Sequence, residues 1–442
     1  MQRRGVAPRR SASAGEGLRF GASADATSRA SSAGNAAHLG LDLLTPLALA
    51  LGAAEVETRA KAATRVRDLA REGRVSCAAA AKSGAVAALV ALATHFADES
   101  FRGGAVAAVA ETDRRRSATG SAADAETRNA SPRNETRRAV WACARDAADA
   151  LTALALMDRG EGTRTLAASA RTVAALLAAV AAETDCSHDD VRDDDVREAS
   201  EATARRAVTR LVFALAGTTP VRVALAADRN ALSALARDAG SRDAALAAAA
   251  AGVLWVAATP PETLGDADAE GARAWKVAEH AQMDAPGPGA VAAAGDVADA
   301  LARRHLPLLA EAMATARGVA DDDGTPSVDA SCEKRARDKS SLARRRVALA
   351  AASVAGRDAA RAVAVSRERR LMECLVRCVG EGPAPAEERR AAATALWRVV
   401  SGVLSRRLAD VLPPKSAVID ALVAETRLVF VLAEALLRVD DG

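Results

Sequence analysis

Apolar residues recur in this chain at three- and four-residue steps, the spacing that lines one face of a helix. The clearest run is Lys82-Ser83-Gly84-Ala85-Val86-Ala87-Ala88-Leu89-Val90-Ala91-Leu92. Counterparts start near Arg171-Thr172-Val173, Asn230-Ala231-Leu232, Arg370-Leu371-Met372 and Ala417-Val418-Ile419. A second pattern alternates with the first: a polar start carrying Glu or Arg runs into an alanine-rich helix that ends in an apolar pair. It leads from Glu57-Thr58-Arg59 to Asp68-Leu69-Ala70, and from Glu135-Thr136-Arg137-Arg138 to Ala153-Leu154-Ala155. It returns from Arg205-Arg206 to Ala214-Leu215-Ala216, and from Arg242-Asp243 to Val256-Ala257-Ala258. The last two lead from Arg345-Arg346 to Ser353-Val354-Ala355 and from Glu388-Arg389-Arg390 to Arg398-Val399-Val400.

Helix starts are marked as well. Thr45-Pro46, Ser131-Pro132 and Thr219-Pro220 each place a hydroxyl before a proline, as a capped helix start does. Pro385 followed by Glu387 and Glu388 puts acids in a first turn, where they suit the helix dipole. Composition points the same way. Apolar residues make up 50% of the chain but aromatics only 2%, with no Tyr and a single Ile, Ile419, so the residues that build strands are scarce. Alanine, leucine and arginine, good helix formers, are plentiful. Ile, Tyr, Phe, Lys and Asn are scarce together, so codon bias in a GC-rich genome contributes to the pattern. The predicted fold class is all-α.

The repeated order of the two patterns resembles the armadillo repeat, in which a short first helix leads to a Gly-Ala-hydrophobic start of a second helix. A third helix then carries an Ala-Leu-x-Asn-Leu-Ala type of ending. Lys82 to Leu92 resembles the second-helix signature. Gly252-Val253-Leu254-Trp255-Val256-Ala257-Ala258 and Ala395-Leu396-Trp397-Arg398-Val399-Val400-Ser401 resemble third-helix endings. The resemblance covers residues 41 to 438 in about six degenerate units and implies an α-solenoid of armadillo-like repeats. Trp255 and Trp397 then hold equivalent places, and both are expected to be at least partly buried between layers. Trp141 and Trp275 are also expected to be core residues.

A chain of 442 residues is too long for one compact core. The expected organisation is a tail at 1–40, armadillo-like repeats at 41–258, a linker at 259–290 around Pro286-Gly287-Pro288-Gly289, and further repeats at 291–438. Segments 98–133, 184–199, 259–290 and 318–341 interrupt the period and read as loops. Residues 1–40 are rich in Arg and Ser and hold only Glu16 and Asp25 as acids. That character fits a transit peptide to a plastid or mitochondrion, and equally a disordered tail. Without a transit peptide the expected location is cytoplasmic.

Net charge is +3, from 60 basic and 57 acidic residues, so arginine reads as surface polarity and nucleic acid is not the expected partner. Cys77, Cys143, Cys186, Cys332, Cys374 and Cys378 include no CxxC pair and are expected as small thiols in a reduced compartment. The longest uncharged run, Ala244 to Pro261, is mostly alanine and reads as a buried helix rather than a membrane span.

Tests for chemistry fail one by one. Gly287-Pro288-Gly289-Ala290-Val291-Ala292 fits a loose dinucleotide string, but Pro288 has no N–H to offer phosphate. Lys82-Ser83 lacks the glycines of a phosphate-binding loop, which would fall at Ser76 and Ala81. Cys186-Ser187-His188-Asp189-Asp190 and Asp321-Asp322-Asp323-Gly324 carry ligand types without ligand spacing. His38, His95, His280 and His305 are far apart, and Arg114-Arg115-Arg116 has no neighbouring aromatics.

No catalytic, cofactor or metal residue is therefore expected, and the chain reads as a scaffold that binds another protein in a helical-repeat groove. An organellar RNA-binding repeat is the alternative, disfavoured by the irregular period and balanced charge; an enzyme of unrecognised type is the second. In armadillo proteins that hold extended peptides, an asparagine ladder lines the groove. The resemblance places the matching positions at Asp68, Ala153, Ala214, Val256, Ser353 and Arg398, none of them Asn. Asp68, Val256, Ser353 and Arg398 are kept as groove candidates, without the peptide-backbone grip of a nuclear-import adaptor.

Overall fold

The computed structural model describes residues 41–95, 132–157, 160–182, 194–261, 287–321, 330–356, 358–380 and 384–408. Every regular element among them is helical. The described residues open with α1 (Leu41–Leu51) and α2 (Val56–Arg71). Five triplets follow, and in each the third helix is the longest. They are α3 (Cys77–Lys82), α4 (Ala85–Thr94) and α5 (Pro132–Met157), then α6 (Glu161–Ala167), α7 (Ala170–Ala181) and α8 (Asp194–Leu215). The third is α9 (Thr219–Ala227), α10 (Arg229–Asp238) and α11 (Ala244–Ala258), and the fourth α12 (Pro288–Arg304), α13 (Leu306–Asp321) and α14 (Ala330–Ala355). The last is α15 (Ala359–Arg367), α16 (Arg369–Gly380) and α17 (Ala386–Leu408).

Helices with the same place in successive triplets pack together. The long helices run α2 on α5, α5 on α8, α8 on α11, α11 on α14 and α14 on α17. The middle helices run α4 on α7, α7 on α10, α10 on α13 and α13 on α16. A hydrophobic cluster extends from Leu44 to Val403 along this series, across the position where the sequence suggested a break between halves. Among the described residues no single helix is long and apolar enough to cross a membrane.

The uncharged alanine-rich run is α11, and every residue of it from Leu246 to Ala258 is buried, Trp255 included. Trp141 is buried too, and Trp275 lies outside the described residues. Trp397 is only partly buried, at 42% exposed, where Trp255 is 4% exposed. The helix that buries α11 from the next triplet, α14, has no described counterpart beyond α17.

The starts of the helices differ from the sequence reading in instructive ways. Thr45-Pro46 lies inside α1, where the Thr45 hydroxyl donates back to the Leu41 carbonyl at 3.0 Å instead of capping. Proline begins α5 at Pro132 and follows the first residue of α9 at Pro220, where Thr218 rather than Thr219 is the N-cap residue. Of the working caps, only Asp243 stood at a helix start that the pattern marked. Asp228, Asp243 and Asp358 accept from first-turn N–H groups of α10, α11 and α15 at 2.8–3.3 Å, and Ser76 and Ser169 cap α3 and α7. Segments read as loops are partly helical: α8 begins at Asp194, and α14 at Ala330. A scarcity of apolar residues reports on burial, not on backbone conformation, so a polar helix extension reads as a loop.

Close approach of backbones sets where glycine is needed. Gly162 of α6 lies against the C-terminal part of α5, so a Cβ there would meet the Leu154 carbonyl oxygen and sit 2.9 Å from that of Ala155. Both obstacles are backbone, which cannot rotate away. Gly162→Ala is expected to destabilise the protein by about 1–3 kcal/mol through overpacking, despite the gain of up to ~1 kcal/mol in helix propensity. A thermal or urea unfolding midpoint equal to the parent's would show that α5 and α6 shift apart freely.

Candidate functional site

The long helices carry the positions that the repeat resemblance nominates for a groove. Asp68 is half-buried on α2 beside Arg67, whose Nε is 3.4 Å from its Oδ1. It lines an open depression of about 350 Å³ with Glu57, Ala60, Lys61, Thr64 and Arg65. Ala153, Ala214, Val256 and Ser353 are buried and face packing rather than solvent. Ser353 lies against the end of α11: its hydroxyl is 2.7 Å from that of Thr259, and the two reach the Leu349 and Trp255 carbonyls at 2.9 and 2.7 Å. Arg398 is half-buried and donates to the Ala352 carbonyl of α14 at 3.2 Å. Three of the four candidates thus cluster on α11, α14 and α17, and Asp68 stands apart on α2.

A specific buried contact joins α8, α11 and α14. Arg346 of α14 crosses α11, donates to the Ala248 carbonyl at 2.7 Å and places its guanidinium 4.5 Å from the Phe213 ring centroid of α8. Gly252 of α11 makes this passage: a Cβ there would lie 2.8 Å from the Phe213 ring and 3.0 Å from the guanidinium. The two helices flanking α11 therefore touch across it. A run of alanines is narrow enough to be covered from both sides, which hydrophobic spacing alone does not reveal. Burial draws the Arg346 guanidinium down to about 10, with the Arg345 charge adding to the effect.

The reading of arginine as surface polarity is corrected here. Arg222 on α9 is 0% exposed and donates to the Val256 and Thr259 carbonyls at the end of α11 and to Ala290 of α12, at 3.2, 2.9 and 3.2 Å. Arg205 on α8 donates to the Val180 and Ala182 carbonyls at the end of α7 and to the Asp238 carboxylate at 2.9 Å. Burial pushes the Asp238 carboxyl up, and the Arg205 charge opposes that shift. Glu388, 2% exposed, accepts from Arg344 at 2.7 Å and from Ser341 at 2.9 Å, tying α17 to α14. The signal was present as recurring Arg doublets, but these were read as helix starts. In the structure Arg205-Arg206 and Arg345-Arg346 lie well inside α8 and α14.

Exposed charge is of mixed sign and lies on α2 as on α14 and α17. Glu57 and Lys61 pair at 2.7 Å on α2, and the hydrogen bond from Lys61 holds the Glu57 carboxyl below its usual range. Arg145 and Asp146 pair on α5, Asp149 faces Arg210 of α8 at 3.9 Å, and Arg206 pairs with Asp243. Cys77, Cys143 and Cys378 are buried and Cys374 is half-buried. Among the described residues no group of three or more His, Cys, Asp or Glu is placed to hold a metal ion. Arg114-Arg115-Arg116, the Cys186–Asp190 stretch, His38 and His280 lie outside the described residues.

Two substitutions probe these contacts. Arg222→Met leaves buried carbonyls at the α11 end without their charged donor and is expected to cost about 3 kcal/mol or more, read as a lower urea midpoint. Arg222→Lys should not restore it, because one ammonium nitrogen cannot reach acceptors that the guanidinium spans with two separate nitrogens. The second concerns Cys378, whose thiol burial and the neighbouring Glu388 charge push up to about 11 from an ordinary 9.0. Between these values the unfolded chain has lost the proton and the folded chain keeps it. Stability is therefore at its full level below pH 9 and falls as pH rises toward 11. From about pH 8 to about pH 10 the parent should lose about 1.4 kcal/mol more than Cys378→Ala. Equal losses in the two proteins would exclude a shifted thiol.

Comparison with known proteins finds no family model that matches this chain and no curated protein similar to it.

Proposed function

We propose that the α1–α2 pair and the five triplets form an armadillo-like α-solenoid that acts as a non-catalytic scaffold for another protein. The observation that carries this reading is the packing of like on like: long helices on long helices and middle helices on middle helices, from one triplet to the next. An array whose units contact their neighbours offers an extended surface built from the exposed faces of its long helices. Docking is assigned to the stretch of α2, α5 and α8, a choice supported by the open depression that Asp68 lines with Lys61 and Arg65 on α2. Its pairs of opposite charge suit a partner recognised by patterned side chains rather than a polyanion. The buried Ala153, Ala214, Val256 and Ser353 leave no ladder of exposed amides for an extended peptide backbone. The N-terminal 1–40 segment, proposed to direct the chain to a plastid or mitochondrion, lies outside the described residues.

Two arms of one experiment test the reading. Lysine-rich nuclear-localisation peptides titrated onto the protein should show no saturable binding at micromolar concentrations. Partner capture from native cells is compared between the parent and the charge-reversed variant Lys61→Glu/Arg65→Glu/Arg210→Glu, with helical content matched by circular dichroism. A partner retained by the parent and lost from the variant is expected. Micromolar peptide binding that disappears on Asp68→Ala would overturn the reading, as would a partner set indifferent to the charge reversal.

A further inference from the structure

Each triplet turns from its first helix into its middle helix through one or two residues, at 83–84, 168–169, 228, 305 and 368. First helices stack as α3 on α6, α9 on α12 and α12 on α15, and the middle helices stack from α4 to α16 in the same order. The turns therefore follow one another along one edge of the array. Each carries an exposed cation. Lys82 ends α3, Arg171 is second in α7, Arg229 opens α10, Arg304 ends α12, and Arg367 and Arg370 flank the last turn. Among the described residues none of these side chains makes an ion pair, whereas their neighbours Arg303 and Arg369 reach Asp299 and Glu373 at 3.9 and 2.9 Å. The acids within two residues of the turns are Asp228 and Glu368, both half-buried. Asp228 is occupied as a cap, accepting from the Asn230 and Ala231 N–H groups at 3.0 Å.

Helix stability does not account for this edge. Lys82, Arg304 and Arg367 stand at helix C-termini, where a cation suits the dipole, but Arg171, Arg229 and Arg370 stand in first turns, where the dipole opposes it. We propose that the edge binds an extended acidic segment of a partner protein, with carboxylates three residues apart. Packed helix axes lie about 8–10 Å apart, and three residues of extended chain span about 10 Å. Successive carboxylates of such a segment meet successive turns, and a guanidinium donates to a carboxylate through two N–H groups at once. Single-stranded nucleic acid needs aromatic platforms, and among the described residues Trp141, Phe213, Trp255 and Trp397 are all on long helices. The proposal rests on the repeat packing behind the scaffold reading and adds a second surface, separate from the docking along α2, α5 and α8.

The probe is a fluorescein-labelled peptide of five Glu-Ser-Ser repeats, titrated onto the full chain by fluorescence anisotropy. An isomer with its glutamates adjacent is titrated beside it. The spaced peptide should bind saturably, more tightly than the isomer, and more weakly as salt is added. In the variant Arg171→Glu/Arg229→Glu/Arg370→Glu its affinity should fall by about tenfold or more. All three replacements put an acid in a first turn, where it suits the dipole, so the unfolding midpoint should be retained. The variant Lys61→Glu/Arg65→Glu/Arg210→Glu should bind the spaced peptide as the parent does, which keeps this result separate from that of the scaffold experiment. No saturable binding, equal affinity for the two isomers, no loss in the first variant or an equal loss in the second would each overturn the proposal. Tighter binding of an oligothymidylate or of phosphatidylserine vesicles, lost in the first variant, would also overturn it and assign the edge to nucleic acid or to a membrane surface.

Discussion

The carbonyls at the C-terminal end of α11 lack the N–H groups of a following helical turn, and they are buried where water does not reach. A helix end in that position must be satisfied from outside or it destabilises everything packed on it. Arg222 meets this need from α9, and the same solution recurs with Arg205 at the end of α7. A guanidinium suits the task because it presents several donors in one plane and its positive charge faces the negative end of the helix dipole. Each such arginine links helices that are distant in sequence, so satisfying a helix end and joining the layers are one act.

The second constraint is space. Ten of the fifteen residues of α11 are Ala or Gly, and its burial on every side depends on that. With Gly252 at the crossing point, Phe213 and Arg346 approach over the α11 backbone and hold α8 and α14 together across it. The same narrowness buries Val256 of α11, one of the positions the repeat resemblance nominated for a groove. Charged side chains of both signs remain accessible on α2 and, at the other end of the series, on α14 and α17.

Charge in this protein therefore has two roles that composition cannot separate. Ion pairs such as Arg344 with Glu388 and Arg205 with Asp238 are deep in the packing, where each charge needs its partner. Pairs such as Lys61 with Glu57 are exposed and contribute little to stability, but they set the pattern a partner would meet. Near neutrality of the whole chain hides this division.

The sequence by itself determined the all-helical class, the six alanine-rich segments whose apolar endings fall at or within two residues of a long helix's end at Ala70, Ala155, Ala216, Ala258 and Ala355 but eight residues short of it at Val400, and the burial of α11. These follow from local spacing and propensity, which act within a few turns of one helix. It did not reveal that Asp228, Asp243 and Asp358 cap helices, though each stands just before an apolar run and was there to be read. It also had no means of showing that Ser353 and Val256 are buried, that Arg222 and Arg346 are core residues, or that Trp397 differs from Trp255. Those outcomes depend on which helix lies alongside. Arginine looks the same in sequence whether its stem crosses a neighbouring backbone or extends into water. A tryptophan is buried only when a following layer covers it. The approach of one helix to another, measured in ångströms across residues a hundred positions apart, is the quantity that only the tertiary structure decides.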